Sequence, residues 1–352
     1  MDTIIKDKLA SIGGDFWKVV SECLVQGVHE DTALRLNAQV KPQGRFVERV
    51  SGADRKTRER VGAMTPSNIE VEALGSDEFY TRPNGQKYYS RKWGMHTDIG
   101  VVRKAREATR KYFSEGIGSP QLVMFYGVPG TGKTALVEAS FHDEKIYTMI
   151  GTGDTEVADF MGSFIQTPSG NFEWIDADFI KALENGNPFF IDEIGLIDPK
   201  ALAFAYGVMD GRKEITIPMN PDRGTIKVHE NFYIISATNP NAPGVRLSEA
   251  LLSRFAIQAE LTTDWKLAQK LGVPATMVSV AQNLYKRTQG DSAEISWSPQ
   301  MRELLAFRDT AELFGTEFAI SNLIASAPEM DRDVVVDVIA RAYGAEHKPA
   351  KI

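Results

Sequence analysis

One cysteine, Cys23, is all this chain of 352 residues carries, which excludes an intramolecular disulfide and any cysteine-rich metal site. Long apolar runs are missing too: nothing approaches the roughly 18–20 uninterrupted apolar residues that a membrane-spanning helix needs. Positive charge is scarce. Forty Lys and Arg stand against 47 Asp and Glu, a net charge of −7, which weighs against sequence-independent binding to DNA through its phosphates. The N-terminal Met1-Asp2-Thr3-Ile4-Ile5-Lys6 lacks the basic and apolar regions of a signal peptide, so the cytoplasm is the expected location. There is no internal repeat and no low-complexity tract.

What remains is the composition of a globular chain, 43% apolar and 25% charged, long enough for two or three domains. Residues 1–95 form a first zone of unassigned role. It has helix-like stretches such as 16–26 and a hairpin over Glu78–Ser90, whose Asn84-Gly85 pair supplies the positive φ angles of a tight turn. A basic run lies at 41–60, where Lys41, Arg45, Arg49, Arg55, Lys56, Arg58 and Arg60 outnumber Glu48, Asp54 and Glu59. Its first reading is a solvated face or a link. Residues 96–260 alternate helices with apolar strands at Leu122–Tyr126, Ile146–Ile150, Pro188–Ile191, Phe232–Ser236 and near Ala256–Glu260. Runs that are apolar without alternation predict an α/β, doubly wound parallel sheet covered on both faces. Residues 261–352 read as a helical lid with helices over 264–271, 275–289, 299–313, 316–326 and 332–343. Asp264, Ser298 and Asp331 are the expected N-caps.

The chemistry centres on Gly127-Val128-Pro129-Gly130-Thr131-Gly132-Lys133-Thr134, which follows an apolar strand and opens through Ala135 into a helix. Glycines let backbone N–H groups turn inward on a polyphosphate, and the helix N-terminus adds positive potential. Gly127 to Ala135 are therefore the expected phosphate contacts, with Lys133 on the β and γ phosphates and the Thr134 hydroxyl on Mg²⁺. Asp192 and Glu193 end the apolar strand beginning at Pro188. There Asp192 is expected to hold the metal shell and Glu193 to polarise an attacking water. Asn239 ends another buried strand at the same sheet edge and is placed to position that water. Arg254 closes a short helix, Leu247–Phe255, as an exposed guanidinium with no carboxylate partner evident nearby. At a subunit boundary it could neutralise phosphoryl charge in a neighbour's site.

These elements, GVPGTGKT, FFIDE, SATNP and LLSRF, resemble in order and spacing the Walker A, Walker B, sensor 1 and arginine-finger motifs of the AAA+ ATPases over about 98–312. Within that family the chain looks most like the MoxR-like and dynein-related branch. Residues 153–174 resemble its helix-2 insert, a helix broken by a hairpin, and 214–229 resemble the hairpin before sensor 1. Both hairpins face the ring's pore in that branch, which makes Phe164, Phe172, Trp174 and Arg223 candidate partner contacts; local packing is the alternative for the aromatics. Ser298-Pro299 departs from the family, since Gln300 follows where sensor 2 often has arginine. Arg302 is the substitute.

The resemblance implies an ATPase that binds ATP and Mg²⁺, assembles as a homo-hexamer with Arg254 acting in trans, and remodels an unidentified protein client. Tyr89 and Ile99 are candidates for adenine packing. Two alternatives stand beside it: a DNA motor, helicase or packaging loader, and a nucleotide-gated scaffold with negligible turnover.

Overall fold

The computed structural model describes residues 79–290 and 293–350. Cys23, the helix-like stretch at 16–26, the basic run at 41–60 and Glu78 of the expected hairpin lie outside them. The described chain opens with two small antiparallel hairpins, β1 (Phe79–Thr81) with β2 (Lys87–Tyr89), and β3 (Lys92–Trp93) with β4 (His96–Thr97). Helix α1 (Asp98–Glu115) follows, capped by the Thr97 hydroxyl and ended by Gly116 in the left-handed region.

Strand β5 (Val123–Tyr126) then leads through the glycine loop into α2 (Lys133–Ser140) and β6 (Tyr147–Ile150). A short helix, α3 (Val157–Met161), breaks into the hairpin β7 (Gly162–Gln166) and β8 (Phe172–Asp176), and α4 (Asp178–Asn185) resumes after it. Next come β9 (Pro188–Asp192), α5 (Pro199–Met209) and a second hairpin, β10 (Glu214–Thr216) with β11 (Thr225–Lys227). Strand β12 (Tyr233–Thr238), helix α6 (Glu249–Leu252) and β13 (Ile257–Glu260) complete the core.

The five core strands form one parallel sheet in the order β13-β5-β12-β9-β6. Every residue of β12 is buried, as are the first four of β9. Helices α1 and α2 pack on one another, as do α3, α4 and α5. The inner strands β5, β9 and β12 therefore carry unbroken apolar runs, since neither face meets water, whereas the edge strands β6 and β13 alternate half-buried with exposed residues. The register pairs Ile191 with Ser236 and Thr238 with Tyr126. The C-terminal ends of β5, β9 and β12 therefore lie side by side, the edge where such sheets bind ligands.

Beyond β13 the chain builds a helical lid: α7 (Trp265–Lys270), α8 (Ala275–Arg287), α9 (Met301–Phe314), α10 (Thr316–Ser326) and α11 (Arg332–Tyr343). It has its own apolar core, including Met277, Leu284, Leu304, Ile320 and Ile339, separate from the core around the sheet. Two expected caps differ. Helix α9 starts at Met301 and is capped by Gln300 in a reciprocal box with Glu303, so Ser298 and Pro299 precede the helix. Asp331 gives its carboxylate to the backbone N–H and hydroxyl of Ser296 at 3.0 and 2.7 Å instead of capping α11. Among the described residues, no helix is long and apolar enough to cross a membrane.

Candidate nucleotide site

The loop after β5 can be built only with glycine at its first bend. Gly127 has φ +141°, and a Cβ there would lie 2.5 Å from the Leu261 carbonyl oxygen. Gly132, at φ +95°, starts α2 in the left-handed region. Lys133 is 7% exposed and its Nζ donates to the carbonyls of Gly127 at 2.7 Å and Val128 at 3.1 Å. Burial lowers its pKa, and Arg302 pushes the same way, while Glu193 and Asp192 oppose the shift.

Asp192 and Glu193 arrive beside this loop from β9. The Thr134 hydroxyl donates to Asp192 Oδ2 at 2.9 Å across 58 residues of sequence. Glu193 sits at φ 53°, ψ 41°, and among the described residues it is the one non-glycine with positive φ. Its Oε2 accepts the Asn239 backbone N–H at 3.0 Å. Asn239 is itself buried, and its side-chain oxygen accepts the N–H of Asn241 at 3.2 Å, so it closes a turn as well as flanking the glutamate. Sequence reasoning missed Ser236 and Thr238. Their hydroxyls are buried in β12 without a hydrogen-bond partner, and their polarity within an apolar run was the available signal.

The lid closes over the loop. The backbone N–H of Arg302 donates to the Gly130 carbonyl at 3.2 Å. Gln300 does not face that loop with its amide. It accepts from the Thr263 hydroxyl at 2.7 Å and donates to Ser298, which fixes the start of α9. A cavity of about 430 Å³ lies between core and lid, lined among others by Val128, Asn239, Thr262, Tyr285, Trp297 and Gln300. Tyr89 and Ile99 are not among its walls. Ile99 is buried in the sheet's core, and Tyr89 packs at the lid under the Lys270 ammonium, 5.4 Å from its ring centre. Tyr285 and Trp297 are the aromatic residues there.

Arg254 differs from the expected free guanidinium. Its side chain is 19% exposed, Nε lies 2.8 Å from Asp210 Oδ1, and the guanidinium stacks 4.0 Å from the centre of the Tyr206 ring. It also donates to the Ala250 carbonyl. The partner lies 44 residues away at the end of α5, beyond local inspection. Gly211 follows Asp210 at φ +91° as the terminating glycine, and Arg212 lines the same cleft. Arg223 is likewise engaged. It pairs with Asp176 at 3.0 Å and Glu184 at 2.6 Å, which braces the β10–β11 connection against β8 and α4. Phe164 and Phe172 are 52% and 67% exposed, whereas Trp174 is half-buried, edge-on to Phe164 at 5.1 Å and bonded to Asp176.

The donor set fits a triphosphate with a hard divalent cation. Lys133 is a buried cation with only neutral carbonyl acceptors, beside a loop whose first glycine, Gly127, has no room for a side chain. The adjoining oxygens of Thr134 and Asp192 are of the kind that Mg²⁺ would take as ligands. Among the described residues, no cluster of three or more His, Cys, Asp or Glu could hold a metal ion.

Residues 122–255 match the family described as AAA domain (dynein-related subfamily). Midasin of Dictyostelium discoideum is 31% identical over 149 residues, 40% of this chain and 2% of midasin. An uncharacterized protein of Bacillus subtilis, YojN, is 32% identical over 141 residues, 38% of this chain and 46% of its own length. An uncharacterized protein of Staphylococcus epidermidis is 29% identical over 227 residues, 60% of this chain and 86% of its own. The chain thus spans a small fraction of the first relative and under half of the second.

Proposed function

We propose that this protein, whose residues 122–255 form an AAA domain of the dynein-related subfamily, hydrolyses ATP and uses the energy to remodel a protein partner in the manner of MoxR-like ATPases. The observation that carries the reading is the meeting of three strand ends. Lys133 and Thr134 follow β5, Asp192 and Glu193 follow β9, and Asn239 follows β12, with hydrogen bonds of 2.9 and 3.0 Å joining them.

In this reading the N–H groups of the Gly127–Ala135 loop and the Lys133 ammonium hold the β and γ phosphates. Thr134 and Asp192 would hold Mg²⁺, which would supply positive charge beside the phosphate oxygens. Glu193 takes a proton from the attacking water, held in place by the Asn239 N–H, and Asn239 positions the water from the other side. Arg302 borders the γ-phosphate side through its contact with Gly130. Arg254 serves a neighbouring subunit of a homo-hexamer. The exposed Phe164 and Phe172 are the surfaces offered to a client.

The test is phosphate release. Turnover of ATP is expected, falling by about 10²–10⁴ in Glu193→Gln while ATP binding persists. Absence of turnover in the unmodified protein, with binding intact, would favour a nucleotide-gated scaffold. The pairing of Arg254 with Asp210 is the observation that keeps that second reading in view. A nucleic-acid motor gains nothing from Arg223, whose charge is matched by two carboxylates.

A further inference from the structure

The loop between β2 and α1 is organised around one buried carboxylate. Asp98 accepts from the Tyr88 hydroxyl at 2.5 Å, the Ser90 hydroxyl at 2.9 Å, the Arg91 N–H at 3.0 Å and the Ile99 N–H at 2.8 Å. Burial raises the Tyr88 phenol well above its ordinary pKa, so it remains a donor. Four donors on one carboxylate fix the backbone from which Arg91 projects.

The Arg91 guanidinium then spans two parts of the molecule remote in sequence. One terminal nitrogen donates to the Thr131 carbonyl in the phosphate loop at 2.9 Å, and the other to the Thr262 carbonyl at 3.0 Å. A Cβ on Gly132 would come within 3.0 Å of the same group, so guanidinium and loop are in direct contact. Thr262 lies where the chain crosses from one apolar core to the other, since Leu261 belongs to the sheet's core and Leu267 to the lid's. The next residue, Thr263, donates to Gln300 Oε1 at 2.7 Å and accepts the Met301 N–H at 3.3 Å, joining the crossing to the first turn of α9. A planar guanidinium presents its two terminal nitrogens to two acceptors in a fixed fork, whereas a lysine offers one nitrogen at the end of a flexible stem. The Arg91 Nε is buried without a partner, so the group holds this placement despite an unmet donor.

We propose that Arg91 is a positioning residue that ties the phosphate loop to the core–lid crossing, so that seating a triphosphate in the loop is transmitted through Thr262 and Thr263 to Gln300 and the lid. The inference rests on the nucleotide reading above and goes beyond it, because it assigns the coupling to a residue outside the nucleotide motifs.

Hydrogen exchange read by mass spectrometry tests it on the full chain with Mg²⁺ and a non-hydrolysable ATP analogue at saturation. In the unmodified protein, amides of 127–134 and of 261–264 and 298–303 are expected to slow together. In Arg91→Ala the first segment stays protected, while protection of the other two falls by about fivefold or more, the lower range of allosteric couplings. Arg91→Lys keeps the charge but replaces the rigid fork with a single nitrogen on a flexible stem, and it is expected to lose the coupling too, which covers the case in which the alanine variant does not fold. Undiminished protection of 261–264 and 298–303 in Arg91→Lys, or its absence in the unmodified protein, overturns the proposal. Failure of the analogue to protect 127–134 in the unmodified protein overturns the nucleotide reading itself.

Discussion

Lys133 illustrates how burial tunes a single charge. Burial away from water lowers its pKa, with Arg302 acting in the same direction, so the free protein loses this charge at a lower pH than an exposed lysine does. ATP affinity, measured by titration from neutral to alkaline pH, is expected to weaken below 10.5, the ordinary lysine value, because the deprotonated form cannot pair with phosphate. Lys133→Arg should flatten that alkaline limb while weakening affinity at neutral pH, since the larger head does not fit the loop. Folding stability moves the other way. The unfolded chain keeps its proton to higher pH, so raising pH between the folded and unfolded pKa values favours the native state. The loop, the strand-end acids and Asn239 were legible as a linear pattern because each motif packs its chemistry into a few adjacent residues. The partners of Arg254, Arg223 and Arg91 were not. They come from 44, 47 and 171 residues away, and no local rule couples such positions.

At the level of elements, the parallel sheet was readable because burial on both faces of its inner strands demands unbroken apolar runs, and each expected strand lies within about two residues of the observed one. The lid helices were readable as helical stretches with N-cap candidates, of which Asp264 does cap α7. The start of α9 was misplaced because the cap is a reciprocal box between Gln300 and Glu303, with Gln300 further held by the Thr263 hydroxyl across 37 residues, in place of the expected serine. Gly127 shows the opposite case, in which a backbone demand is visible in sequence and its cause only in space. Gly127→Ala must relieve a 2.5 Å contact with the Leu261 carbonyl and a left-handed φ. It is expected to cost about 1–3 kcal/mol in urea unfolding and to weaken ATP binding with it. Gly170→Ala, in the β7–β8 turn, also has positive φ but meets nothing within 4 Å, so it should cost less and leave binding unchanged.

For the whole molecule, the question is whether one chain suffices for turnover. If Arg254 serves a neighbour, Arg254→Ala and Glu193→Gln are each expected to be impaired alone, the former by about 10³–10⁵. Mixing them should restore phosphate release, since an intact glutamate then meets an intact arginine across a boundary. Specific activity of the unmodified protein should also rise with concentration. No recovery on mixing, with both variants folded and binding ATP, would place Arg254 in a structural role with Asp210 and Tyr206.

The backbone at Glu193 carries one more consequence. Left-handed geometry is unfavourable for a glutamate by about 1–2 kcal/mol relative to a helical one, and asparagine or glycine would adopt it more readily. A library of this chain screened for heat resistance alone should therefore drift away from glutamate at position 193, whereas a library screened for turnover should retain it. The two selections would diverge first at this residue.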